Sequence, residues 1–259
     1  MARLHEAGIA VVMIRGNHDA QGQMTRSLKL PPNVRELSVS HPESYEIQGT
    51  NVVVHGQGFA ERVITTDLAA GYPLAKEGAF NIGLLHTSLT GRAGHEPYAP
   101  TSLDVLSSKG YQYWALGHVH AHEVAMTFPH VVFPGNLQGR HARETGPKGA
   151  VLVEVDGDHV TRVEHRALDD VRWCLLPIDV SSAGNVDEAL EAVADAISDL
   201  VAEHPSLGLA IRIVLTGTTA AHSAINGDRE KFTNEVRNAC YVANGELAAS
   251  WPVRTKSIV

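Results

Sequence analysis

Cysteine is almost absent from this chain. There are two in 259 residues, Cys174 and Cys240, with no Cys-x-x-Cys spacing near either. A disulfide-stapled fold and a closed cysteine-built zinc site are therefore excluded, and both residues read as buried thiols of a reducing compartment. Long apolar runs are missing too: no stretch reaches the roughly 18 residues of a membrane-spanning helix. Met1-Ala2-Arg3-Leu4-His5-Glu6 has no apolar signal-peptide core, so a cytoplasmic protein without a membrane partner is expected. Basic charge is in deficit, at a formal net −8 divided equally between residues 1–170 and 171–259. Such a balance does not advertise a nucleic-acid face. Arg140, His141, Arg143 and Lys148 form a local exception, either a phosphate grip or a solvated loop. With 44% hydrophobic and 19% charged residues, the chain can bury a core, as one large domain or a main domain with a companion.

Histidine is what the sequence has in quantity: 15 residues, several of them at the ends of apolar runs. Ile9 to Ile14 is a buried-strand pattern that empties into Gly16-Asn17-His18-Asp19. Side chains at the carboxyl end of such a strand lie where α/β sheets bind ligands. An amide, an imidazole and a carboxylate there can ligate metal, move a proton and orient the proton mover, although the same residues also make an ordinary polar loop. Asn51 to His55 is a second strand. Phe80 to Leu85 is a third and ends in His86, and Tyr111 to Leu116 runs into Gly117-His118-Val119-His120. His118 and His120 alternate with Val119, so an extended segment turns both imidazoles to one side. Any one of these histidines alone fits a hydrogen-bonded structural role. Together at strand ends they read as metal ligands, suited by softness to zinc, iron or manganese.

The remaining pattern is simpler. Residues 1–7 read as a helix stub closed by Gly8, so the chain opens inside an element and a missing upstream segment is expected. Residues 20–50 hold turn residues and short runs, 102–109 a short helix, His130 to Phe133 a strand, and 149–167 a hairpin. The pattern changes near Asp169-Asp170. Beyond it come a strand over 175–180, a helix capped by Asn185 with Glu188 in a capping box, a strand over 209–215, a helix over 229–241 and a last strand over 246–253. That order describes a small α+β unit.

The motif series Gly16-Asn17-His18-Asp19, His86 and Gly117-His118-Val119-His120 resembles the later motifs of the calcineurin-like metallophosphoesterases. Tyr98-Ala99-Pro100 through His120, then Pro134-Gly135-Asn136-Leu137-Gln138-Gly139-Arg140 with Glu144-Thr145-Gly146 and Lys148-Gly149, is similar to the DNA repair exonuclease (SbcD-like) branch. Leu137 departs from the proline common there. The resemblance implies an α/β (α+β) architecture, a β-sandwich flanked by helices. Residues 1–170 would form the nuclease domain, N-terminally truncated, and 171–259 a small capping domain over the DNA-binding face. It implies two divalent ions, commonly manganese, clamping an in-line displacement at phosphorus. Asn17, His86 and His118 would hold one ion and His120 would help hold the other. His18 would stabilise the transition state or protonate the leaving oxygen, with Asp19 orienting it. DNA, a coiled-coil SMC-like ATPase and a second copy in a homodimer are the implied partners.

The family's earlier motifs, Asp-x-His and Gly-Asp-x-x-Asp, do not occur before Gly16. Asn17, His86, His118 and His120 are neutral donors, and two divalent ions need carboxylates to offset their charge. A fragment or misplaced start, completion by another chain, and a non-catalytic binding subunit of a repair complex are the alternatives this leaves. A phosphoesterase acting on small molecules or phosphoproteins is a further one.

Overall fold

Residues Phe80 to His86 alternate two environments, and the sheet is built on that alternation. A computed structural model of the chain describes residues 1–20, 29–90 and 98–244. In it, β1 is Val11–Met13, β2 Val34–Glu36, β3 Glu43–Glu46, β4 Val52–Gly56, β5 Phe80–His86, β6 Tyr113–Gly117, β7 Glu123–Thr127 and β8 His130–Phe133. Six of these form one sheet in the order β3-β4-β5-β6-β8-β7. The four inner strands are mutually parallel, and β3 and β7 are antiparallel edges. The carboxyl ends of β4, β5, β6 and β8 therefore open on one rim.

The register Leu84 to Ala115 and Leu85 to Leu116 sorts side chains to two faces. On one, Leu85, Trp114, Leu116, Val131 and Phe133 pack with Leu106 of helix α2, Leu103–Ser108, and with Ala69 of a 3-10 turn. Ser102 caps α2 by accepting the Val105 N–H at 3.2 Å. The indole of Trp114 occupies the space over Gly83, where a Cβ would come within 2.2 Å of it.

The opposite face carries Phe80, Tyr113 and Val132. They pack against Val151 and Val153 of β9, Gly149–Asp156, and against Val160 and Val163 of β10, His159–Ala167. The parallel pair β1–β2 approaches the sheet where Gly56 lacks a side chain: a Cβ there would meet Leu37 at 2.7 Å and Ile14 at 3.1 Å. Helix α1, Ala2–Glu6, precedes it and ends before Gly8, which takes φ +68°. The result is a mixed central sheet with helices and a second β layer, the α/β architecture the sequence leads one to expect.

Met1–Asn136 with Ala150–Arg166 makes one compact unit, and Leu137–Gly149 with Ala167–Val259 makes a second. Against a boundary at residue 170, this division places 137–149 and 167–170 with the later chain. Trp173 donates its indole N–H to the Gly139 carbonyl at 3.2 Å, and the Gly146 N–H donates to the Trp173 carbonyl at 3.0 Å. In the second unit β11, Val171–Asp179, and β12, Gly208–Thr216, pair in parallel. Helices α3, Val186–Ala202, α4, His222–Gly227, and α5, Arg229–Asn244, complete it. Asn185 accepts the Glu188 N–H at 3.0 Å while Glu188 accepts the Gly184 N–H at 2.6 Å. Ala189, Val193 and Ile197 then face Ile178, Ile213, Phe232 and Val236 in a separate core. Each fully buried aliphatic there stabilises by about 1.5–3 kcal/mol. The expected strand over 246–253 lies outside the described residues. Among the described residues no helix is long and apolar enough to cross a membrane.

Candidate metal-binding rim

Three strand ends deliver the candidate residues to the rim of the first unit. Beyond β1 the chain turns at Gly16, where Asp19 and Ala20 donate backbone N–H groups to the Gly16 carbonyl at 3.1 and 3.2 Å. The Asp19 carboxylate accepts the Gly16 N–H at 3.1 Å, which locks the loop and points Asn17 inward. Asn17 is 6% exposed. Among the described residues Asp19 makes no hydrogen bond to His18, so its bonded role is to hold the loop that carries His18.

His86, the last residue of β5, meets Asn17. Its Nε2 lies 3.0 Å from Asn17 Oδ1. The His86 ring is gripped by backbone: a Cβ on Gly16 would fall 2.7 Å from Cε1, and one on Gly117 would fall 3.0 Å from Nδ1. His118 stands edge-on to His86, ring centroids 5.2 Å apart at 79°. It adopts φ 101°, a conformation L-residues rarely take and one that costs of order 1–3 kcal/mol. Such strain persists where the surrounding structure fixes a side chain for use.

Burial first, then the nearby His118, with smaller contributions from His18 and His120 and against the opposing Asp19, together bring the His86 imidazole down to about 4. His86 is thus neutral at physiological pH, the state in which imidazole ligates metal. The same couplings show that His18, Asp19, His118 and His120 all lie within electrostatic reach of His86.

Sequence reading missed two aromatics. Phe59 sets its ring 5.1 Å from His86, nearly perpendicular, and Tyr98 sits 4.9 Å from His118. The available signal for Phe59 was its place just past β4, in Gly56-Gln57-Gly58-Phe59, on the rim the histidine loops share. Its backbone N–H donates to the Arg15 carbonyl at 2.9 Å, which ties it to the loop that carries Asn17. The basic cluster lies in the second unit, where buried Glu144 accepts from Arg140 at 3.1 Å and sits 3.6 Å from His141.

The donor set fits one divalent ion in part and does not fit two. The Asn17 Oδ1–His86 Nε2 spacing of 3.0 Å is that of a hydrogen bond, and two donors about 2.1 Å from one octahedral ion would stand about as far apart. Two imidazoles on one ion place their ring centres about 5 Å apart, as His86 and His118 do. Yet among the described residues no group of three or more His, Cys, Asp or Glu is arranged to hold a metal ion. Among the described residues, then, His86, His118 and His120 are not gathered with a carboxylate into a complete site for either one ion or two.

The chain is similar to known metallophosphoesterases. Residues 173–255 match the family described as Metallophosphoesterase YhaO, middle domain. Over 220 residues the chain is 37% identical to the uncharacterized metallophosphoesterase YhaO of Bacillus subtilis (strain 168), a span covering 83% of this chain and 53% of that protein. The chain thus spans about half the length of the curated relative it matches. The likeness is to metallophosphoesterases in general.

Proposed function

We propose that this chain carries the neutral-ligand half of a metal-dependent phosphoesterase centre. The supporting observation is the meeting of Asn17 and His86 at 3.0 Å, with His118 edge-on beside them, at one sheet rim. Asn17, His86 and His118 would hold a divalent ion, which supplies Lewis acidity toward a phosphoryl oxygen when bound. Asp19 keeps the loop closed, and exposed His18 stands beside the imidazole pair, where it can give a proton to a departing oxygen. His120 lies within electrostatic reach of His86 and would help hold a second ion. The carboxylates such an ion needs would come from a segment other than the described residues, and manganese is the metal we expect.

Within that class we propose a phosphodiester substrate of the DNA exonuclease kind, supported by the Pro134–Gly149 motif series that follows the rim. A DNA repair complex with a coiled-coil ATPase is the setting this reading implies. The test is manganese-dependent release of nucleotides from linear duplex DNA, run beside hydrolysis of bis(p-nitrophenyl) phosphate. The chain is to be extended with a segment bearing Asp-x-His and Gly-Asp-x-x-Asp. Release from DNA that disappears in His18→Ala supports the proposal. Hydrolysis of the small ester without DNA release redirects it to small-molecule or phosphoprotein substrates. DNA association that survives both His18→Ala and chelator, with no cleavage, makes the chain a binding subunit instead.

A further inference from the structure

Helices α3 and α5 pack side by side over β11–β12, and between them they leave a groove of about 380 Å³. Its lining is mostly small and apolar, Leu190 and Ala194 from α3 with Ala239, Val242 and Ala243 from α5, beside the polar Ser198 and Asn238. Val242 is 73% exposed, a large apolar side chain facing water at one end of the groove. The charged residues of its lining, Glu191 and Glu235, are both acidic, while α5 carries Arg229, Lys231 and Arg237 outside that lining. Helix α3 carries Asp187, Glu188, Glu191, Asp195 and Asp199 with no lysine or arginine between Val186 and Ala202.

We infer that this groove is a docking site for an amphipathic helix with a basic flank, supplied by a partner protein. The alanines of the lining leave room for large apolar side chains at i, i+3, i+4 and i+7, the anchors by which helices enter grooves. Lysine or arginine beside that stripe would meet Glu191 and Glu235. An anionic ligand such as nucleic acid is disfavoured here by the same two carboxylates. The inference is independent of the hydrolase reading, because every residue it uses belongs to the second unit and none to the rim.

The test uses the full chain and a fluorescein-labelled synthetic peptide of about 18 residues, long enough for five helical turns, with a leucine stripe flanked by lysines. Fluorescence anisotropy should show saturable binding, and a scrambled peptide of equal composition should bind at least about tenfold more weakly. Glu191→Gln with Glu235→Gln should weaken binding about tenfold, whereas Glu6→Gln with Glu61→Gln, an equal charge change on the first unit, should alter it less than about twofold. Ala194→Phe with Ala239→Phe should abolish binding by filling the groove without touching charge. If the latter pair fails to fold by circular dichroism, the glutamine pair still decides the matter.

Equal effects of the two glutamine pairs, or equal binding of the scrambled peptide, would overturn the inference in favour of diffuse attraction to an acidic protein. Two further results would overturn it by naming another occupant. One is a dimer in light scattering that Ala194→Phe dissolves, which assigns the groove to a second copy. The other is a peptide affinity that rises about tenfold when residues 245–259 are deleted, which assigns it to that segment.

Discussion

His86 is held in place by what its neighbours lack. Gly16 and Gly117 leave room for its ring beside Asn17, so a methyl group at Gly16 must displace the imidazole and one at Gly117 must push it by a few tenths of an ångström. Gly117→Ala is expected to weaken divalent-metal binding by about 10–100-fold, the usual cost of disturbing the groups that orient a ligand, with the far-UV circular dichroism unchanged. Isothermal titration with manganese measures the first and rules out unfolding by the second. The same residue sets a pH dependence in the metal-free chain. An unfolded His86 takes up a proton below its ordinary value of 6.5, while the folded one resists until about 4. Its contribution is whole above pH 6.5 and declines through the window down to 4. His55 acts in the same direction. Buried between the Ser44 hydroxyl at 2.8 Å and Asn81 Oδ1 at 3.0 Å, it too is pushed down by burial. Unfolding free energies from urea titrations at pH 7.5 and pH 5.0 should differ by of order 1–2 kcal/mol, with the midpoint lower at pH 5.0. Equal midpoints would show that neither imidazole is held neutral by the fold.

Strands and helices differ in how far sequence exposes them. Gly83→Ala would drive a methyl into the Trp114 indole, and a loss of about 3 kcal/mol or more is expected from overpacking the sheet face, read as a lowered urea midpoint. Asn185→Ala should cost about 1 kcal/mol through loss of the α3 cap. The long runs were legible because they are buried on both faces: β5 and β6 read as apolar stretches, and α3 announced itself by its cap and its three- and four-residue spacing. The short pieces were not. β2 and β3 have three and four residues, and their order comes from pairing with β1 and β4 rather than from any pattern of their own. β7 is an exposed edge with a register shift between Val124 and Met126, so its alternation is broken. Helix α4 has no side-chain cap and carried no start signal. At the site, Asn17, His86 and His118 were legible as strand-end polar residues. The contacts of Phe59 and Tyr98 were not, because they arise from loops that only the sheet brings together.

Two units with separate cores make the molecule, and they divide its chemistry. The rim belongs wholly to the first. In calorimetry Asn185→Ala should lower the transition of the second unit by several degrees, as about 1 kcal/mol does in a domain of this size. Manganese binding at the rim should be untouched. A metal affinity that fell with the second unit's stability would contradict that division. The most direct test is manganese titration of the full chain, followed by electron paramagnetic resonance of the free ion. About one ion per chain, lost on His86→Ala or His118→Ala and weakened by Asn17→Ala, is the expected result. Unchanged binding in all three variants, or none at millimolar manganese, would contradict the assignment of these residues to a metal site.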